Sequence, residues 1–136
     1  MKHQQILNCF FTLSRTNALL SRSLSAQGLD FSDFMILYFL NEAPEGKLRR
    51  IDLAQKLGLS ASGITRMILP LEKIGLVSRD LSDEDGRARF ASLTEIGKTL
   101  LADAKTRIFE KMEDIVPAQQ EADYQKVTAL LEQIKF

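Results

Sequence analysis

The chain has 136 residues with 18 Lys+Arg against 18 Asp+Glu, one His, one Cys, no Trp and 45% hydrophobic residues. That is one domain's length with enough apolar material for a core, which excludes disorder, collagen and a disulfide framework. The longest apolar run, around Phe34 to Leu40, falls far short of the about 18 residues that cross a bilayer. Metal, nucleophilic and most acid/base sites need several His, Cys or carboxylates converging, and His3 and Cys9 stand alone near the N-terminus. With no Gly-rich phosphate loop, nucleophile elbow or zinc spacing, the chain reads as a binding protein without cofactor or metal. Met1 to Leu7 carries Lys, His and two Gln before any apolar stretch, unlike a signal peptide, and the lone Cys fits a cytoplasmic location.

Residues 5–26 read as a long helix, with Ile6, Phe10, Leu13, Asn17, Leu20 and Leu24 at alternating spacings of four and three. This is a coiled-coil-like seam for a partner helix, in which one polar residue, Asn17, would fix register, or else the helix packs within its own subunit and Asn17 caps a local carbonyl. Gly28 ends the helix, and Asp30 caps a second over Phe31 to Asn41, apolar nearly all round and so a core helix. After a turn at Pro44-Glu45-Gly46, Arg50 to Leu57 forms a short helix with Ile51, Leu53, Ala54 and Leu57 as its buried side. Gly58 closes it, and Ser60 caps a helix running to Ile74, stopped by Gly75. Two helices across a tight Gly-containing turn make a helix-turn-helix. Leu76–Leu81 and Arg87–Leu93, joined through Ser82-Asp83-Glu84-Asp85-Gly86, read as a hairpin. Thr94 caps a long helix carrying Ile96, Leu100, Leu101, Ala104, Ile108 and Met112, ended by Pro117. The last helix carries Gln120, Tyr124, Val127, Leu131 and Ile134, again four and three apart.

The predicted fold is mainly α (α+β): a winged helix-turn-helix with a two-stranded wing, flanked by N- and C-terminal dimerisation helices. Residues 1–136 form one unit, with 30–93 as the winged helix-turn-helix and 5–26 and 94–136 as the dimerisation helices. At 100° per residue from Ile64, the helix Ser60–Ile74 buries Ile64, Met67, Ile68, Leu71 and Ile74. Its opposite side carries Ser62, Arg66, Leu69 and Lys73, with Thr65 at the border. Short hydroxyls suit base edges or phosphates and a guanidinium bonds guanine bidentately, so this face has the chemistry of a major-groove reader. A merely solvated face would more often hold Glu and Lys pairs than Ser60, Ser62 and Gly63, residues of weaker helix propensity. Gly63 permits close approach of backbone to phosphate, or relieves crowding. Pro70 removes a hydrogen bond to the Arg66 carbonyl and should bend or shorten the helix. Leu69 touches either a thymine methyl or a neighbouring helix. In the hairpin, Arg87 and Arg89 point to one side of the strand, and Arg87 either enters a minor groove or pairs with Asp85.

The run from Leu57 to Arg79 (LGLSASGITRMILPLEKIGLVSR), then Asp85-Gly86-Arg87 and Leu93-Thr94-Glu95-Ile96-Gly97, resembles the MarR family of bacterial transcriptional regulators, as does Gly28 to Phe34. The resemblance implies a homodimer formed by the terminal helices. It implies major-groove contacts from Ser60, Ser62, Thr65 and Arg66, and a minor-groove contact from Arg87. Arg49 stands where the family usually has a Ser or Thr cap; Arg49 and Arg50 would instead contact phosphate. Gly86 occupies a wing position often filled by a charged residue. Repression by occluding a promoter, relieved by a small aromatic or phenolic ligand, is the implied mechanism; Phe10, Phe11, Phe34 and Tyr38 would line its pocket or are simply core. Cys9 raises the alternative of thiol-based redox sensing, against its reading as a small hydrophobe. A winged-helix module that binds protein and not DNA is the alternative of a different class.

Zero net charge looks unfavourable for nucleic acid until it is divided. Residues 47–90 hold nine basic side chains against six acidic ones, so a basic module is balanced by acidic residues elsewhere.

Overall fold

The computed structural model describes residues 1–80, 90–117 and 120–136. Its elements are α1 (Lys2–Ser23), α2 (Phe31–Glu42), a 3-10 turn (Pro44–Gly46), β1 (Lys47–Arg49), α3 (Arg50–Leu57), α4 (Ala61–Lys73), β2 (Val77–Asp80), β3 (Phe90–Leu93), α5 (Glu95–Ile115) and α6 (Glu121–Glu132).

Helix starts follow local capping chemistry. Asp30 accepts from the Asp33 N–H while the Asp33 carboxylate accepts from the Asp30 N–H, a reciprocal box that starts α2. Ser60 accepts from Gly63 N–H to start α4, and Thr94 accepts from Gly97 N–H to start α5. Between α3 and α4, Gly58 sits at φ 68°, a left-handed conformation that costs glycine little, and the Leu59 N–H then reaches the Ala54 carbonyl. That closure sets the tight turn of the helix-turn-helix.

The core gathers around α2. Ile36, Leu37 and Leu40 are fully buried, joined by Leu53 and Ala54 of α3, Ile64, Ile68 and Leu71 of α4, and Leu101, Ala104 and Ile108 of α5. Leu76 and Val77 with Ala91 and Leu93 close it from the sheet. The helices α1 and α6 bury no residue of their own.

Several expectations change. The first helix runs over 2–23, not 5–26, because Leu24 leaves helical geometry and Ala26 bridges Leu29 across a turn with Gln27 and Gly28 at positive φ. The sheet has three strands, order β1-β3-β2, where two were expected: Leu48 pairs with Ala91, and Arg79 also pairs with Ala91 from the other side. Ile74 is 65% exposed because α4 ends at Lys73, and Ile51, expected on the buried side of α3, is 48% exposed. Ile96 and Met112 of α5 are also exposed. Pro70 does not stop α4, which continues through it to Lys73. The hairpin turn, with Asp85, Gly86, Arg87 and Arg89, lies outside the described residues.

Candidate nucleic-acid interface

The capped start of α4 concentrates small polar groups. Ser60 Oγ lies 3.1 Å from Gly63 N and 3.2 Å from Ser62 Oγ. A Cβ added at Gly63 would come within 3.2 Å of Ser60 Oγ, so glycine there leaves the cap room. Burying Ile64, Ile68 and Leu71 turns Ser62, Thr65, Arg66, Leu69 and Lys73 outward, and all five are exposed. Among the described residues neither Arg66 nor Lys73 has an ion-pair or hydrogen-bond partner. Their charge is thus available to an external anion. Pro70 supplies no N–H to the Arg66 carbonyl on this same helix.

The two arginines expected at phosphate differ from each other. Arg49, the N-cap residue of α3, is exposed, and its Nε and Nη2 donate to the two oxygens of Asp52 at 2.9 and 3.1 Å. That fork pulls the Asp52 carboxyl below its ordinary value of 3.8 and raises the guanidinium in turn. Arg50 points inward instead. Its side chain is 12% exposed, its Nη2 lies 2.5 Å from Glu72 Oε1, and its Nη1 lies 3.5 Å from Thr65 Oγ1. The other Glu72 oxygen meets Arg79 Nη2 of β2 at 3.5 Å. Arg50 is therefore a strut between α3 and α4, because Glu72 offers a carboxylate where α3 crosses α4. Glu72 and Arg79 entered the sequence reading as charges and as members of the Leu57–Arg79 run, not as partners of Arg50: Arg50 and Glu72 are 22 residues apart, and no helical or strand spacing links them.

The four aromatic residues expected at a ligand pocket do not converge. Phe34 is core, stacked 6.1 Å from Phe31 and 5.9 Å from Tyr38, while Phe10 and Phe11 stand exposed on α1. Lys105 lies 5.5 Å from the rings of both Tyr38 and Phe109. Beyond it, Phe109, Met112 and Glu113 of α5, with Val116 and Pro117 just past its end, line a groove of about 480 Å³.

The seam residues Phe10, Leu13 and Asn17 line a second groove, of about 500 Å³, with Ser14, Ile134 and Phe136. Ile6, Tyr124 and Val127 are exposed and Leu131 partly so. Cys9 is exposed on α1. Among the described residues no group of His, Cys, Asp and Glu is placed to hold a metal, and no helix is long and apolar enough to cross a membrane.

A helix-turn-helix whose second helix is open to solvent, followed by an antiparallel sheet that returns to the entry of the first, defines a winged helix-turn-helix protein. Residues 30–88 match the model of the MarR family. The chain is similar to the HTH-type transcriptional regulator PrsX of Escherichia coli, 35% identical over 96 residues that make up 71% of this chain and 58% of PrsX. The chain thus spans less than two thirds of that relative. Among solved structures it resembles AbsC, a MarR family transcriptional regulator of Streptomyces coelicolor (TM-score 0.78, 25% identity, 94% of this chain and 88% of AbsC). It also resembles CouR of Rhodococcus jostii RHA1 bound to p-coumaroyl-CoA (TM-score 0.79, 25% identity, 94% of both chains). The transcriptional repressor CouR is also solved bound to a 23-mer DNA duplex (TM-score 0.70, 23% identity, 89% of this chain and 87% of CouR).

Proposed function

We propose that the chain binds double-stranded DNA sequence-specifically as a homodimer, repressing transcription by occupying a promoter, and releases it when a small aromatic ligand binds. The observation that carries this reading is the outward face of α4. Arg66 stands exposed about one turn past the Ser60–Ser62 cap and Lys73 at the far end of the same face, on a helix fixed from behind by Ile64, Ile68 and Leu71. Such a helix enters a major groove with its N-terminal residues at base edges. Ser60, Ser62, Gly63, Thr65, Arg66 and Lys73 form that surface; Arg49 adds a phosphate contact by exchanging Asp52 for DNA, Arg87 the minor-groove contact, and Arg89 a further DNA contact.

Homodimerisation is supported by two amphipathic helices, α1 and α6, that bury no residue fully within the chain, and by the apolar groove Phe10-Leu13-Ile134-Phe136 between α1 and the C-terminal segment. A two-fold axis then asks for a pseudo-palindromic operator with half-sites about 10 bp apart. Ligand control draws support from CouR with its aromatic CoA thioester and from the α5 groove at Phe109 and Met112.

Titration of the chain against promoter DNA upstream of its own gene, over a series of salt concentrations, tests the reading. A dimer touching about 8 phosphates gives a log–log slope near −7. A flat slope with no preference over random DNA would leave a protein-binding module as the function.

A further inference from the structure

The hydroxyl of Thr65 has already used its proton. Thr65 Oγ1 lies 3.0 Å from the Ala61 carbonyl oxygen, which can only accept, so Thr65 donates there. Arg50 Nη1 lies 3.5 Å from the same Oγ1, and a guanidinium can only donate, so Thr65 accepts from it. One lone pair and the γ-methyl are all that the side chain has left to offer a base. The arrangement is held from inside. Arg50 is fixed by Glu72, with their side chains 12% and 16% exposed, and Glu72 is tied in turn to Arg79 of β2. Turning the Thr65 hydroxyl toward DNA would strip a partner from a guanidinium that water barely reaches. Ser60 and Ser62 differ: only one proton is needed between their oxygens, which leaves the other hydroxyl proton free to donate outward.

We infer that Thr65 reads a thymine methyl, with Arg50 and Glu72 as the positioning residues that make it do so. Thymine alone presents a methyl in the major groove, whereas guanine presents acceptors, for which a hydroxyl without a free proton has nothing; the one lone pair left fits an adenine or cytosine amino group, the outcome that absence of a sensitive thymine would indicate. The inference rests on the DNA-binding reading above and adds which chemistry one position of the helix recognises.

The test begins with selection of an operator from randomised duplexes by the full chain. Each thymine of the selected operator is then replaced by deoxyuridine, which removes only the C5 methyl. One thymine per half-site should weaken binding on replacement by roughly 4-fold, the value of one buried carbon. The loss should persist in Thr65→Val, which keeps the methyl, and vanish in Thr65→Ser, which keeps the hydroxyl. Glu72→Gln and Arg50→Lys should shrink the deoxyuridine effect while the salt slope, which counts phosphate contacts, stays unchanged. A purely structural role for that pair would lower stability and leave the effect intact. A deoxyuridine penalty that survives Thr65→Ser, loss of sequence preference in Thr65→Val, or no sensitive thymine at all would overturn the inference while leaving DNA binding standing. Failure to select any sequence would remove the DNA-binding reading and this inference with it.

Discussion

Replacing Gly97 by Ala should damage the joint between α5 and the sheet. A Cβ there would lie 2.2 Å from the Leu76 carbonyl oxygen and 2.7 Å from Leu93 Cδ1. Ordinary carbon–oxygen contacts begin at about 3.3 Å, so a gap of about 1 Å must open. Leu93 can rotate its methyl away, but the Leu76 carbonyl is fixed, accepting from the Thr94 N–H at 3.1 Å and facing Thr94 Oγ1 at 3.0 Å. Moving α5 outward loosens both bonds, about 1 kcal/mol each. Overpacking adds about 1 to 3 kcal/mol, and alanine returns about 1 kcal/mol of helix propensity. The net loss is about 2 to 4 kcal/mol. With about 2.1 cal/mol/K of unfolding entropy per residue, 136 residues give about 0.3 kcal/mol/K, so the melting midpoint should fall by about 7 to 14 °C. Circular dichroism melts of native and variant chains at equal concentration measure it, since a dimer's midpoint depends on concentration. A midpoint within about 2 °C of native would refute the pinning of α5 on the Leu76 carbonyl.

Three further outcomes follow from the same geometry. Gly63→Ala meets only the movable Ser60 hydroxyl at 3.2 Å and Leu59 Cβ at 3.5 Å, so its stability should stay within about 1 kcal/mol of native while DNA affinity falls; a melt as low as that of Gly97→Ala would mean the cap cannot yield. In a carboxyl NMR titration Asp52 should titrate below 3.8 because Arg49 bonds its charged form, and Arg49→Ala should bring it back. Its contribution to stability is present above pH 3.8 and lost as pH falls through its lowered folded value. Asp33 should titrate above 3.8, chiefly because burial disfavours its charge, so acidification through that raised value stabilises the fold; the two midpoints in reversed order would contradict both assignments. Finally, Leu13→Glu places a charge in the groove between α1 and the C-terminal segment and should convert the dimer to monomer in sedimentation equilibrium, whereas an undiminished dimer would place the interface elsewhere.

What the sequence made legible was local. Asp30, Ser60 and Thr94 announced helix starts because a cap needs only a side chain and a backbone N–H three residues on. The helical wheel found Ile64, Ile68 and Leu71 for the same reason, and failed at Ile74 where the helix it assumed had already stopped. Everything that depended on distant partners was hidden. The three residues of β1 are too few to show a period, and their partners in β3 lie more than 40 positions away. Arg50 carries the same charge as Arg49, and only the fold decides that one faces solvent and the other Glu72. Phe34 and Phe10 are equally apolar in sequence, yet one is core and the other lines an open groove.

The unforeseen strand changes how the parts of the molecule are connected. β1 ends at Arg49, the residue that caps α3, and Arg49 pairs with Phe90 of β3. Phe90 also pairs with Asp80 of β2, so the start of α3 and both described strands at the root of the wing meet at one residue. At the other end of β3, Leu93 leads directly into Thr94, whose hydroxyl lies 2.7 Å from the Gly75 carbonyl just past the end of α4 and accepts from the Gly97 N–H of α5. A strand of four residues, about 13 Å long, thus has the entry of the helix-turn-helix at one end and the fixed start of the long α5 at the other. Displacing the start of α5 therefore acts on the Thr94 bonds to Gly75 and Leu76, on its own Thr94–Gly97 cap, and on the sheet that leads to the start of α3 and the Arg50–Glu72 strut behind α4.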